Sequence, residues 1–399
     1  MAPSGLRSLC CGHAILAVME TETAPAAQPQ NLSVERLLVA NPHGYCAGVL
    51  FALRGADLAR QIYPDRPVWV YHEIVHNPDP VNELRALGVE FCDDVAEAPD
   101  GAVLLFSAHG VSPAVRAQAA ARSFHAVIDL TCPLVARVHE AVLRHTADHI
   151  ILIGKHTHDE IAGTLGEVPE RTRVVSSIED VQRLDLPQDE QIVFVTQTTW
   201  SIQDAQAIIA AIRRRYPRAR PAIASTAGPD GENEHASICY ATENRQQAVI
   251  TGAREADLVL VIGGDKSENT ANLVHTARAH GARSQRVQDV GELRPEWLEG
   301  VKTVLITSGA STPEYRLEEA IAWFRARGVR QIEALGEPEK MQRSVPEGFA
   351  LPSELRAAIR RVEDERGEPL QPRSRAAQAW RGTEMQERSR SSGLSAGGA

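Results

Sequence analysis

Short apolar runs alternate with helical patterns along most of this chain. Runs at 36–40, 103–106, 127–130, 150–153, 192–195, 258–262 and 304–306 each meet a loop of small or polar residues. Apolar residues at helical spacing then follow. Strands alternating with helices predict the α/β class, with mainly parallel sheets and helices on their faces. In such sheets ligands sit beyond the carboxyl ends of the strands. Those ends carry Gly44-Tyr-Cys46, Ser107-Ala-His109, Thr131-Cys132-Pro133, His156-Thr-His158-Asp-Glu160, Thr196-Gln-Thr198, Ser267-Glu-Asn269 and Ser308-Gly-Ala-Ser311.

With 399 residues the chain is expected to form two or three domains. Residues 1–35 are rich in Ala, Pro, Thr and Gln and read as a disordered N-terminal extension. A weakly apolar stretch at 10–19 is broken by His13, so a secretory signal is not expected. The expected division is 36–131, 132–238 and 239–336 for three α/β domains. A C-terminal segment at 337–360 is expected to pack on the core, and a polar tail at 361–399 to be flexible. No segment has the length and apolarity of a membrane span.

The formal net charge of −10 removes nucleic acid as an expected partner. If the ligand is an anion, positive potential must be local, from helix N-termini, imidazoles and backbone amides. Six cysteines in a chain this long do not read as a disulfide scaffold. A cytoplasmic protein with reduced thiols is the expectation.

Cys92 lies in an apolar run, Val89-Glu-Phe-Cys92, and reads as a buried core residue. Cys46, Cys132 and Cys239 differ, for each stands just before a helical pattern, at 47–59, 133–143 and 240–249. A helix N-terminus stabilises a thiolate. The intervals between these cysteines each match the length of a small α/β domain, so three domains meeting at a centre could each bring one sulfur. Without a Cys-x-x-Cys pair, neither a zinc ribbon nor a ferredoxin-type site is indicated. Spacing leaves two options, an iron–sulfur cluster with one open iron or a zinc ion with a bound water.

His76, His109 and His158 follow apolar runs and suit either a metal or a doubly charged phosphate. His72, His139 and His156 read as ordinary surface or core histidines. The hydroxyl-rich turns with Ser267, Asn269 and Ser311 suit phosphate oxygens, and equally suit helix capping. Glu160, in a dry cleft, would have a raised pKa and deliver protons. Thr198 could relay a proton or cap a helix. There is no Gly-x-x-x-x-Gly-Lys-Ser/Thr loop and no Gly-x-Gly-x-x-Gly after a strand.

Taken in order, Ala-Asn-Pro-His-Gly-Tyr-Cys-Ala-Gly-Val, His-Glu-Ile-Val-His-Asn, Phe-Ser-Ala-His-Gly-Val-Ser, Thr-Cys-Pro-Leu-Val, Thr-Gln-Thr-Thr, Ile-Cys-Tyr-Ala-Thr-Glu-Asn-Arg-Gln and Ser-Gly-Ala-Ser-Thr-Pro resemble the 4-hydroxy-3-methylbut-2-enyl diphosphate reductases. The resemblance implies three pseudo-symmetric α/β domains around a central cavity. It implies a 4Fe–4S cluster on Cys46, Cys132 and Cys239. His76, His109, Ser267, Asn269 and Ser311 would hold the diphosphate, with His158 lining the pocket. Glu160 would donate a proton, and Thr198 would orient the substrate hydroxyl. The implied reaction is reductive dehydroxylation to isopentenyl and dimethylallyl diphosphate, with electrons from a ferredoxin or flavodoxin. The rival readings are a non-catalytic iron–sulfur sensor of phosphorylated metabolites and a zinc-dependent hydrolase. The family often carries a charged pair after Cys-Ala-Gly-Val, where this chain has Leu50-Phe51.

Overall fold

The computed structural model describes residues 32–187, 190–223, 237–336 and 349–378. The chain opens with β1 (Arg36–Ala40) and α1 (Ala47–Ile62). It then builds a sheet of four strands in the order β3-β2-β4-β5: β2 (Val68–Tyr71), β3 (Val89–Cys92), β4 (Val103–Phe106) and β5 (Ala126–Asp129). Helices α2 (Pro78–Ala86) and α3 (Pro113–Ala120) connect these strands.

After α4 (Pro133–Arg144) comes a second sheet, β7-β6-β8-β9. Its strands are β6 (His149–Ile153), β7 (Thr172–Val175), β8 (Ile192–Thr196) and β9 (Arg220–Pro221). Its helices are α5 (Asp159–Leu165), α6 (Ile178–Arg183) and α7 (Ile202–Arg215). Then α8 (Tyr240–Gly252) leads into β10 (Leu258–Ile262), α9 (Glu268–Ala279), β11 (Arg283–Val287), β12 (Thr303–Ser308), α10 (Glu314–Ala326) and β13 (Gln331–Leu335). The third sheet runs β11-β10-β12-β1-β13.

Every described strand pair is parallel. The central strands are buried on both faces, β4, β8 and β10 throughout their lengths. This explains why they read as unbroken apolar runs rather than alternating ones. Cys92 is buried in the core beside Leu104 and Phe106, as its strand context suggested.

Two expectations change. The segment 36–131 is not one domain, because β1 pairs with β12 and β13 in the third sheet. Leu37 and Val39 share a core with Val304 and Ile306, which an apolar run cannot announce by itself. The second change is the expected flexible tail at 361–399, whose described part is packed. Helix α11 (Ser353–Arg366) and the short α12 (Arg375–Gln378) lie against α1. The wholly buried Asp57 carboxylate accepts N–H bonds from Arg373 (2.9 Å) and Ser374 (2.6 Å). Phe349 packs edge-on against Phe51, one of the two apolar residues noted after Cys-Ala-Gly-Val. Residues 1–31 of the expected extension, 337–348 and 379–399 lie outside the described residues. Among the described residues no helix is long and apolar enough to cross a membrane.

Each passage between sheets begins a helix on a cysteine. The chain leaves β1 in the third sheet, and α1 packs on the first. It leaves β5 in the first sheet, and α4 packs on the second. From the second sheet it enters α8, which packs on the third. Cys46, Cys132 and Cys239 are the N-cap residues of α1, α4 and α8.

Candidate functional site

The three N-cap cysteines converge. Burial, followed by the charge of Cys46, pushes the Cys132 thiol far above its ordinary range, and Cys239 adds to it. Burial and Cys46 likewise push Cys239 up to about 11. All are free thiols. Gly48, the second residue of α1, is what lets Cys132 in: a Cβ there would collide with the Cys132 sulfur.

Each cysteine is pinned through its backbone to a loop beyond another strand. Cys46 N–H donates to Ala310 O, Cys132 N–H to Ala108 O and Cys239 N–H to Thr198 O, each at 3.0 Å. Those carbonyls sit beside Ser311, beside His109 and on Thr198 itself. The thiol centre and the strand-end loops are thus locked together.

Three partly buried thiols that meet at one place, two of them with their pKa values pushed up, want a cation to share their sulfurs. A single zinc ion would draw them to about 3.8 Å apart. Among the described residues, the group of three potential ligand atoms lying within 4.8 Å of one another is His76, His109 and Asp159, and the cysteines are not such a group. Three sulfurs not gathered as tightly as one ion needs, with no fourth thiol beside them among the described residues, fit a multinuclear cluster better than mononuclear zinc.

Beyond the thiols lies a histidine pocket. His76 and His109 stack with centroids 4.0 Å apart, and His158 stands edge-on to both at 5.1 and 5.7 Å. They come from the β2–α2, β4–α3 and β6–α5 connections. Burial lowers His158 to about 4, and burial with His76 and His158 lowers His109 well below its usual value. A cavity of about 560 Å³ opens outside them, lined also by Lys155 and Lys266. Those two lysines are paired with Glu268 (2.9 Å) and Glu73 (2.6 Å). His109 and His158, held neutral by burial, are receptive to an anion, because each can take up a proton as charge arrives.

Glu160 is buried on the first turn of α5, between the two regions. Its Oε1 accepts from Thr198 N–H at 2.6 Å, and its Oε2 from the Thr198 hydroxyl at 2.9 Å. Burial raises its pKa to about 7, against the lowering effect of both bonds. It is therefore a carboxylic acid able to give up a proton near neutral pH. Thr198 does not cap a helix, since Ser201 caps α7.

Ser267 caps α9, accepting from Thr270 N–H at 3.3 Å. Asn269 is buried, accepts from Ala310 N–H (2.9 Å) and donates to the Thr242 hydroxyl (3.4 Å). Thr242 lies 3.2 Å from the Cys239 sulfur. Ser311 hydroxyl contacts His76 O at 3.4 Å. The structure thus brings together all the residues singled out in the sequence: the three cysteines, His76, His109, His158, Glu160, Thr198, Ser267, Asn269 and Ser311.

It also adds residues that sequence reasoning missed. His72, read as an ordinary histidine, adopts a left-handed backbone (φ 60°) and bonds Asp159 at 2.9 Å. Burial would raise the Asp159 carboxyl, but His72, His109 and His76 outweigh it and hold it well below the carboxylate range. Buried Gln197 accepts from Lys155 N–H (3.1 Å) and donates to the Thr199 hydroxyl (2.9 Å), fixing the Glu160 loop against the Thr198 loop. The polar run His-Asp-Glu after a strand was the available signal for Asp159. His139 keeps its ordinary reading, buried and bonded to Glu167 at 2.8 Å.

Known proteins similar to this chain point to one family. A family profile described as LytB protein matches residues 37–325. The 4-hydroxy-3-methylbut-2-enyl diphosphate reductase of Leifsonia xyli subsp. xyli is 40% identical over 335 residues, covering 83% of this chain and 94% of that one. The protein of the same name from Yersinia enterocolitica is 38% identical, over 82% of this chain and all of that one (100%). The structure of the E-1-hydroxy-2-methyl-but-2-enyl-4-diphosphate reductase from Plasmodium falciparum superposes with a TM-score of 0.73 at 31% identity, covering 83% of this chain and 99% of that one. On the profile match, the near-complete coverage of these relatives and the shared fold, the chain belongs to the LytB family of 4-hydroxy-3-methylbut-2-enyl diphosphate reductases.

Proposed function

We propose that this chain reduces 4-hydroxy-3-methylbut-2-enyl diphosphate to isopentenyl and dimethylallyl diphosphate. The observation that carries the reading is the bond from Cys239 N–H to Thr198 O, with Thr198 also donating twice to Glu160. It sets a proton donor directly against the thiol centre.

Cys46, Cys132 and Cys239 would hold one 4Fe–4S cluster. Bound there, it would supply electrons and one Lewis-acidic iron without a protein ligand. His76, His109 and His158, with Ser267, Asn269 and Ser311, would bind the diphosphate and fix the allylic alcohol between pocket and centre. Two electrons and two protons exchange C–OH for C–H: the C–O bond breaks, a C–H bond forms and water leaves. Glu160 supplies the proton taken by the departing oxygen, and the Thr198 hydroxyl holds that carboxyl in place. Burial of Glu160 raises its pKa to about 7, so a large share of it carries a proton at neutral pH, and keeps water from competing for that proton. A ferredoxin or flavodoxin would deliver the electrons, in the cytoplasm, where thiols stay reduced.

The test is anaerobic purification followed by turnover with dithionite and a viologen dye. A brown protein that oxidises the dye when substrate is added is expected. A colourless, zinc-loaded protein would favour the hydrolase reading, and a brown protein without turnover the sensor reading. That the three sulfurs do not lie within 4.8 Å of one another weighs against zinc.

A further inference from the structure

We infer that Arg245 is a positioning residue for the cysteine centre, clamping the Cys46 loop to the Cys239 helix and presenting a fixed buried cation to the bound cluster. This rests on the iron–sulfur reading above. Arg245 lies on α8, the helix that Cys239 caps, and is only 2% exposed. Its Nη1 donates to Ala241 O at 3.0 Å, and its Nη2 crosses to Gly44 O at 2.7 Å, two residues before Cys46. Its Nε is buried without a partner.

Carbonyl oxygens do not neutralise a guanidinium, and an uncompensated buried charge is costly. No carboxylate among the described residues bonds Arg245. Glu314, whose charge reaches it, is engaged with His43 at 2.9 Å. The other groups whose negative charge it would feel are Cys46, Tyr240 and Cys239. A cluster core on three thiolates is the missing counter-anion. Reduction adds one negative charge to that core, so a cation fixed beside it favours the reduced state. The fork geometry, bridging two carbonyls, explains why the residue is arginine rather than lysine.

The experiment compares Arg245→Met and Arg245→Lys with wild type, as full chains prepared anaerobically. Iron content and the cluster midpoint potential, from an EPR-monitored redox titration, are the readouts. Arg245→Met is expected to lower the reduced-to-oxidised ratio at fixed potential about tenfold, a shift of about 59 mV for one electron. Arg245→Lys is expected to restore the potential while binding less iron. A wild-type potential in Arg245→Met overturns the inference. So does an Arg245→Lys shifted as far as Arg245→Met, since packing rather than charge would then be responsible. If Arg245→Met holds no iron, the potential of Arg245→Lys decides alone: wild-type supports the inference and a large shift overturns it. A wild type that binds no iron is a different failure, that of the iron–sulfur reading itself.

Discussion

The thiol centre and the histidine pocket are both made from segments leaving the carboxyl ends of parallel strands, yet they are held in opposite ways. Each cysteine is fixed by backbone: it caps a helix, and its N–H is bonded to a carbonyl from another loop. The histidines are fixed by side chains, through ring stacking and a shared carboxylate, Asp159, beside an open cavity. Backbone pinning suits a cofactor that stays. Side-chain contacts that can reprotonate and shift suit a ligand that arrives and leaves in each cycle. Glu160 and Thr198 stand at the seam, bonded to each other and, through Thr198 O, to Cys239.

The comparison is broken most severely at Gly48. Gly48→Ala places a methyl where the Cys132 sulfur sits. Alanine is the better helix former by about 1 kcal/mol. The clash offsets that gain, so the variant is expected to keep its helical fold by circular dichroism yet to lose most of its iron. Retention of full iron would mean that the thiol centre is not rigid.

Next comes the seam. Glu160→Gln keeps the shape and the Thr198 contacts but has no proton to give. Iron content is expected to be unchanged and kcat to fall by about 10²–10⁴. The pH profile sharpens this. Glu160 must be protonated to act, and its pKa is about 7. The wild-type rate should therefore fall as pH rises through about 7, and that limb should vanish in Glu160→Gln.

The smallest effect belongs to the adaptable pocket. Ser311→Ala removes one hydroxyl from several donors, so KM is expected to rise roughly tenfold, the equivalent of about 1.4 kcal/mol. The value of kcat should stay near wild type. A fall in kcat without a change in KM would move Ser311 from the pocket to the seam.

Much of this was readable in the sequence, because the parts obey local rules. The three cysteines were visible as residues that open helices, and strand ends pointed to the loops that carry the histidines and Glu160. What escaped was long-range. The run 36–40 reads as a strand, but nothing in it says that it lies between β12 and β13. The polar composition around 361–378 suggested flexibility. Its order comes from buried Asp57, 316 and 317 positions away in the chain, bonding Arg373 and Ser374. Asp159 and His72 looked ordinary because their meaning lies in each other, and Arg245 because burial is invisible in a motif.

The central claim is best tested by Mössbauer spectroscopy of the anaerobic, substrate-free protein enriched in ⁵⁷Fe. The account predicts about four irons per chain, with one resolved from the other three because only three are held by cysteine. A spectrum with four equivalent irons, or a chain that takes up a single zinc ion instead, would contradict it.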